Sequence, residues 1–233
     1  MSKFLKQIIP PLIYLTVATA TVLYATLVWH KQWLVSLEPE AEESQSELLA
    51  EGCYKISIYD NMFRRICDGR GVDWRLMSAI AYGESTFRHD AVSPRGAVGL
   101  MQVMPRIARS YDVSREELFD PAINIDVASR LFKSMERMIG AGNNVSSRDR
   151  MAFTLAAYNC GASRVIDARN LADYYGDDDS SWEVVSGYLT MLNEEEFYTH
   201  EAVKNGRFRE GAITIYYVER VMARYDRYCK ITD

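Results

Sequence analysis

One glutamate of the sequence lies where a charged side chain is unexpected. In the segment DWRLMSAIAYGESTFR, Asp73 suits a helix N-cap. Met77, Ile80 and Ala81 then form an apolar stripe along the helix, and Glu84 falls on that same stripe. Burial beside apolar neighbours favours the neutral carboxylic acid, so this glutamate could act as a general acid near neutral pH. The alternative is a glutamate in the last helical turn that bonds nearby backbone amides.

The segment RHDAVSPRGAVGLMQVMP follows this glutamate and is rich in turn residues. Ser93, Pro94, Gly96 and Gly99 come in quick succession between two helical patterns. The sequence therefore predicts a loop at the end of the helix that carries Glu84, where a substrate could reach the carboxyl group.

Four short motifs, in order along the chain, resemble the soluble-lytic-transglycosylase (SLT) type of murein lytic transglycosylases, relatives of goose-type lysozyme. They are the Glu84–Ser85 pair, Gly-Leu-Met-Gln from Gly99 to Gln102, Ala-Tyr-Asn ending at Asn159, and Tyr-Val at Tyr217. The stretch LFDPAINIDVASRLF resembles the structural Asp-Pro-x-x-Asn-Ile stretch of the family. The segments YDNMFRR, DWRLMSAIAY and LNEEEFY are similar to the catalytic domains of the membrane-bound type F.

Three positions depart from the usual family pattern. Cys160 stands where a small alanine is usual, Ile213 where a glutamate is frequent, and Ala128 where glycine is common. None of these changes removes the acid. The type F arrangement also carries a solute-binding domain before the catalytic one, and this chain has no room for it.

The resemblance implies an enzyme, a carbon-oxygen lyase that acts on peptidoglycan with Glu84 as its single catalytic residue. Glu84 would protonate the β-1,4 bond between N-acetylmuramic acid and N-acetylglucosamine and then help to close a 1,6-anhydro ring without water. A lysozyme-like hydrolase and a non-catalytic peptidoglycan-binding module are the alternatives.

The resemblance also implies a set of substrate-binding residues around Glu84. Those residues are Ser85, Ser93, Gly99, Met101, Gln102, Tyr158, Asn159 and Tyr217. Met101 and Gln102 would hold the polar edges of a sugar, Tyr158 and Asn159 would line the cleft, and Tyr217 would hydrogen-bond Glu84. The alternative for Met101 and the two tyrosines is packing in the core.

Helical spacing recurs along the rest of the chain, whereas alternating strand patterns bounded by hairpin turns are missing. The prediction is an all-α, lysozyme-like SLT domain over residues 52–233. The expected helices are Ile56 to Cys67, Trp74 to Ser85, Ile123 to Met138, Arg148 to Tyr158, Ser163 to Tyr174, Trp182 to Leu192 and Ala212 to Tyr228.

The amino terminus has the pattern of a membrane anchor. Two lysines, Lys3 and Lys6, precede an uncharged stretch from Gln7 to Trp29, which as a helix would span roughly 34 Å against roughly 30 Å of bilayer hydrocarbon. Residues 1–35 are thus predicted to form an uncleaved transmembrane helix, and residues 36–51 an acidic stalk. The lysines favour a cytoplasmic amino terminus, so the catalytic domain would lie in the periplasm of a bacterial inner membrane. A signal peptide cleaved after Ala20 is the competing interpretation.

The charge balance argues against nucleic acid as a partner. The 233 residues contain 27 Lys and Arg against 32 Asp and Glu, a formal net charge of -5, with no basic block. The three histidines lack metal-ligand spacing, and the acidic run from Asp177 to Asp179 lacks the pattern of an EF-hand loop. No cofactor is predicted. A disulfide, such as one between Cys53 and Cys229 near the two domain ends, and free buried thiols both remain open.

Overall fold

The computed structural model describes residues 55–232, except residues 141 and 143. Helices make up most of these residues. The α-helices are α1 (Asp60–Asp68), α2 (Trp74–Ser85), α3 (Pro105–Ala108), α4 (Pro121–Ile139), α5 (Ser147–Cys160), α6 (Ala162–Tyr175), α7 (Trp182–Met191), α8 (Glu195–Tyr198) and α9 (Gly211–Thr232). Two 3-10 turns lie at Arg109–Tyr111 and Glu117–Phe119. Among these residues extended pairing is limited to isolated bridges of Val98 with Val92 and with Val103, so the all-α prediction is confirmed for this part of the chain.

The predicted helices are present, and both predicted ends of α2 are correct. The predicted start of the first helix at Ile56 is wrong, because the helix begins at Asp60. The buried Asp60 carboxylate accepts hydrogen bonds from the backbone amides of Lys55, Ile56 and Ser57, which holds the preceding residues in a turn. The short helices α3 and α8 were not predicted, since four residues are too few to show a helical period.

Local sequence signals set the ends of the long helix α4. The Asp120 side chain accepts hydrogen bonds from the amides of Ala122 and Ile123, and Pro121 occupies the first helical position. Gly140 ends the helix in the left-handed conformation at φ +55°. The helix therefore enters the core at a defined residue, which matters below because its residue Asn124 holds the loop beside Glu84.

Helix α2 lies inside the domain and packs against both α1 and the long final helix α9. Helix α5 packs against α4, α6 and α9, so α9 contacts both helices that carry the expected site. Met77 and Ile80 of α2 are fully buried together with Phe63 of α1 and Phe153 of α5. The stripe that the sequence predicted along α2 therefore faces the core.

Several sequence predictions concern residues outside the described part. The predicted anchor, 1–35, and the predicted acidic stalk, 36–51, both lie there, as does Cys53. In the described part, no helix combines the length and the apolar character that a membrane crossing requires. Cys67, Cys160 and Cys229, the described cysteines, are free thiols.

Candidate active site

The Glu84 carboxyl group lies in the last turn of α2, where the residue is partly accessible but the carboxyl group itself is almost enclosed. The Tyr217 hydroxyl, from α9, donates a hydrogen bond to Glu84 Oε1 at 3.1 Å. Burial raises the pKa of Glu84 from 4.5 to about 7, and the hydrogen bond from Tyr217 opposes that rise because it stabilises the carboxylate. Glu84 can therefore give up or accept a proton near neutral pH.

The backbone just after Glu84 is strained. Thr86 and Phe87 both adopt left-handed conformations, at φ +52° and +61°, which are costly for residues with a Cβ. The Phe87 ring packs edge-on against Phe63 at 6.5 Å and Tyr82 at 5.8 Å. These contacts hold the chain in a sharp exit from α2, so the helix ends one residue beyond Glu84.

The buried amide of Asn124 holds the loop that faces Glu84. Its Oδ1 accepts from the Met101 amide at 2.8 Å, and its Nδ2 donates to the carbonyls of Val98 at 3.0 Å and Leu118 at 2.9 Å. Gly99 passes so close that a Cβ there would lie 2.5 Å from Asn124 Nδ2, and its φ is +79°. Glycine is required at this position because both the space and the backbone conformation exclude a side chain.

The same loop is tied to α2 and α5 by two hydroxyl groups. Ser85 Oγ, adjacent to the acid, donates to the Leu100 carbonyl at 2.8 Å. Tyr158 Oη, from α5, donates to the Met101 carbonyl at 3.2 Å. Met101 is fully buried, so both its side chain and its backbone polar groups serve to hold the loop.

Two buried tyrosines share the environment of Glu84. Burial raises the pKa of Tyr158 well above its ordinary value, and the negative charge of Glu84 makes a smaller contribution in the same direction. The pKa of Tyr217 is raised by burial and by the charges of Glu84 and Tyr158. Both hydroxyl groups therefore stay protonated at neutral pH. Side chains from α2, α5 and α9, namely Glu84, Tyr158 and Tyr217, thus lie close together.

Asn159 lies on the exposed side of the C-terminal end of α5. Its Oδ1 accepts a hydrogen bond from Thr214 Oγ1 at 2.9 Å. Sequence reasoning missed Thr214, which is fully buried. The available signal was its spacing, since Thr214 precedes Tyr217 by one helical turn and lies on the same face of α9.

The remaining predicted residues shape the loop. Gln102 has φ +46°, and its Nε2 donates to the carbonyls of Gly99 at 2.9 Å and Ala91 at 3.2 Å. Ser93 Oγ accepts from the Ala97 amide at 3.0 Å and so closes a tight turn. Within the part of the chain that the structure describes, the side-chain oxygen of Gln102 accepts no hydrogen bond and can meet an incoming group, whereas the contacts of Ser93 are within the loop.

The arrangement suits proton transfer by one carboxyl group. A retaining glycosidase would place a second carboxylate roughly 5 Å from the first. Among the residues that the structure describes, no other carboxylate contributes to the pKa of Glu84. Within the same ranges no group of three or more His, Cys, Asp or Glu residues could hold a metal ion.

Residues 61–181 match the family model described as the Transglycosylase SLT domain. The membrane-bound lytic murein transglycosylase F of Marinobacter nauticus is 33% identical over 179 residues, which are 77% of this chain and 34% of that protein. The protein of the same name from Ectopseudomonas mendocina is 33% identical over 172 residues, 74% of this chain and 34% of that protein. The chain thus spans about a third of the length of these relatives.

Two solved structures are similar in fold. A complex of the 70-kDa soluble lytic transglycosylase with bulgecin A is 24% identical with a TM-score of 0.50, covering 74% of this chain and 24% of that one. An inactive mutant of the lytic transglycosylase Slt from Pseudomonas aeruginosa is 22% identical with a TM-score of 0.51, over the same shares of the two chains. At these identities the likeness concerns the fold alone.

Proposed function

The chain belongs to the transglycosylase SLT domain family, and from this premise we propose that it is a peptidoglycan lytic transglycosylase. The proposed reaction cleaves the β-1,4 bond between N-acetylmuramic acid and N-acetylglucosamine without water and leaves 1,6-anhydro-N-acetylmuramic acid. The observation that carries the proposal is the enclosed carboxyl group of Glu84, held by Tyr217 and with a pKa near 7.

Protonation of the glycosidic oxygen is the first step. With a pKa of about 7, Glu84 is protonated in about half of the molecules at neutral pH, against well under one in a hundred for an ordinary glutamate. The protonated carboxyl group donates its proton to the bridging oxygen as the bond to the anomeric carbon breaks. Tyr217 keeps the carboxyl group oriented and stabilises the carboxylate that remains.

The substrate itself supplies the second group that other glycosidases take from a second carboxylate. The carbonyl oxygen of the 2-acetamido group of the muramyl residue attacks the anomeric carbon and forms an oxazolinium. The pKa of Glu84 supports this assignment, since burial and Tyr217 account for its shift without a neighbouring carboxylate in the described residues.

Ring closure is the last step, and Glu84 now acts as the base. Its carboxylate takes the proton of the C6 hydroxyl of the same muramyl residue, the C6 oxygen bonds to the anomeric carbon, and the oxazolinium reopens to the acetamide. Glu84 ends the cycle protonated, so the reaction needs no water and no cofactor. A carboxyl group with a pKa near 7 suits both steps of the reaction, because near neutral pH it can act as an acid in the first step and as a base in the last.

The other residues of the site bind the glycan or hold the loop that does. Gln102 and Asn159 offer amide groups to sugar hydroxyls and acetamido groups at the edge of the site. Ser85, Gly99 and Met101 act behind them by holding the loop in place. Tyr158 lines the base of the cleft between Glu84 and this loop.

Product analysis of digested murein tests the proposal. The purified full chain is incubated with murein sacculi, and the soluble muropeptides are separated by liquid chromatography and weighed by mass spectrometry. The expected muropeptides end in 1,6-anhydro-muramic acid and are lighter by one water than hydrolysis products. Products with a free reducing end would instead identify the protein as a lysozyme-like hydrolase. The absence of any soluble product would indicate a non-catalytic peptidoglycan-binding module.

A pair of matched variants tests the role of Glu84. Glu84→Gln keeps the size and the hydrogen bond from Tyr217 but cannot donate a proton, so product formation should fall by at least about 1,000-fold. Glu219→Gln is the control, an exposed residue of α9 outside the site. Undiminished activity of Glu84→Gln would remove Glu84 from the proposed role.

We also propose that residues 1–35 anchor the enzyme in the bacterial inner membrane with the catalytic domain in the periplasm. Two observations support this proposal, the uncharged stretch from Gln7 to Trp29 and the name of the relatives, which calls them membrane-bound. Cell fractionation of a tagged full chain tests it. The protein should sediment with membranes in high salt and be digested by protease in spheroplasts, and recovery in the cytoplasmic fraction would refute the proposal.

A further inference from the structure

Thr214 has a hydrogen-bonding arrangement that the proposed mechanism does not use. It lies in the first turn of α9 with its side chain fully buried, and its hydroxyl donates to Asn159 Oδ1 at 2.9 Å. The neighbouring Cys160 thiol stays neutral, because burial raises its pKa to about 11, and its S–H donates to the Gly161 carbonyl at 3.8 Å.

In this contact the oxygen end of the Asn159 amide faces Thr214. An asparagine amide presents an acceptor oxygen on one side and a donor NH2 on the other, and rotation about the side chain exchanges them. With Oδ1 turned inward to Thr214, the NH2 group of this exposed residue points away from α9. Without the Thr214 hydroxyl, the amide could turn its oxygen outward.

An outward NH2 group selects for an acceptor in the ligand. An acetamido carbonyl is an acceptor only, so it bonds the NH2 end of the amide and is repelled by the oxygen end. Asn159 directly follows Tyr158 in α5, and Thr214 precedes Tyr217 by one turn of α9. The bond between Asn159 and Thr214 therefore joins the same two helices, α5 and α9, that carry the two tyrosines beside Glu84.

We propose that Thr214 is a positioning residue that holds the Asn159 amide with its NH2 group toward the cleft and thereby sets the affinity for acetamido-bearing glycans. The proposal rests on the proposed function. Thr214 acts through Asn159 on binding, whereas Tyr217, on the same face of α9, acts on the proton held by Glu84.

Binding measurements isolate this role from catalysis. The Glu84→Gln chain is titrated calorimetrically with a β-1,4-linked N-acetylglucosamine oligomer, which carries acetamido groups. Adding Thr214→Val, which removes the hydroxyl at nearly constant size, should raise the dissociation constant about 5-fold. Adding Thr214→Ser, which keeps the hydroxyl, should restore most of the affinity. Thr154→Val is the matched control, because the hydroxyl of this buried threonine of α5 donates to the Arg150 carbonyl of its own helix.

A double-mutant cycle with Asn159→Ala completes the test. Once the amide is gone, Thr214→Val should change the dissociation constant less than about 1.5-fold. An undiminished effect in the Asn159→Ala background, or a loss of affinity in Thr214→Ser as large as in Thr214→Val, would overturn the proposal. In the active chain, Thr214→Val should raise KM and leave the pH at which kcat declines unchanged, and a shifted pH profile would also overturn it.

The outcome is separable from that of the proposed function. Wild-type chain that yields reducing-end products would refute the transglycosylase reaction, while the binding cycle could still show coupling between Thr214 and Asn159. Anhydro products together with additive binding effects would refute the role of Thr214 alone.

Discussion

The phenolic oxygen of Tyr217 lies 3.1 Å from Oε1 of Glu84, although the two residues are 133 positions apart in the sequence. The contact joins the end of α2 to the second turn of α9. Burial raises the pKa of the glutamate and this hydrogen bond lowers it, and the balance places the pKa at about 7. The acid-base behaviour of the site therefore depends on how these two helices pack.

The pH dependence of cleavage should follow the protonation of Glu84. The free enzyme needs the protonated acid for its first step, so kcat/KM should decline as the pH rises above about 7. Initial rates of muropeptide release at low substrate concentration, measured from about pH 3.5 to about pH 9 so that both the ordinary and the raised pKa of a glutamate are covered, follow this decline. A profile that falls near pH 4.5, the ordinary value of a glutamate, would contradict the enclosed environment of Glu84.

Tyr217→Phe should move this decline to higher pH. The lost hydrogen bond stabilises the carboxylate, so its removal raises the pKa of Glu84 further, by up to about one unit. The comparison is the same rate profile measured on the variant. Tyr216→Phe is the control, since Tyr216 is exposed on the same helix and accepts a hydrogen bond from Arg220. A decline that stays in place or moves to lower pH in Tyr217→Phe would refute the interaction.

Glu84 should cost stability at neutral and alkaline pH. A carboxyl group whose pKa is raised on folding binds its proton more tightly in the native state, so the associated stabilisation is complete below pH 4.5 and lost as the pH rises through about 7. Relative to Glu84→Gln, the wild type should lose about 3 kcal/mol of unfolding free energy between pH 4 and pH 8. Urea unfolding of both chains at several pH values measures this difference. A constant difference across the range would contradict the prediction.

Asn124→Ala should unfold more easily and lose activity. The substitution leaves the Met101 amide and the carbonyls of Val98 and Leu118 without their buried partner, at a cost of about 3 kcal/mol. Asn170→Ala is the control, because that amide donates one hydrogen bond, to the Ala202 carbonyl, and should cost about 1 kcal/mol. Urea unfolding ranks the two variants, and equal costs would refute the role given to Asn124.

Gly99→Ala should be far more destabilising than Gly96→Ala. Both glycines have a positive φ, +79° and +84°, so backbone strain of about 1 kcal/mol is common to the pair. Only at Gly99 would the new Cβ meet other atoms, at 2.5 Å from Asn124 and 2.6 Å from the Leu118 carbonyl, whereas at Gly96 the space is open. The difference in unfolding free energy should exceed about 2 kcal/mol. Similar values for the two variants would show that the loop can move aside.

Local patterns in the sequence were enough to place the helices and the candidate acid. The N-cap Asp73 and the apolar stripe through Met77 and Ile80 predicted both ends of α2 and the inward position of Glu84. The turn residues from Ser93 to Gly99 predicted the loop that follows α2. Caps, helical period and turn residues act within a few positions of the chain, so a single sequence records them.

The acid strength and the hydrogen bonds of these residues depend on how the helices pack in the folded domain. The pKa of Glu84 depends on enclosure by side chains from separate helices, and the Tyr217 contact, the Asn124 hydrogen bonds and the bond between Thr214 and Asn159 join distant parts of the chain. The start of α1 is a second example. The Asp60 carboxylate binds the backbone amides of Ile56 and Ser57 and holds these residues in a turn, and the spacing of apolar residues does not reveal such hydrogen bonds. Desolvation and long-range hydrogen bonds arise when helices pack, so their strength is a property of the fold and not of any segment.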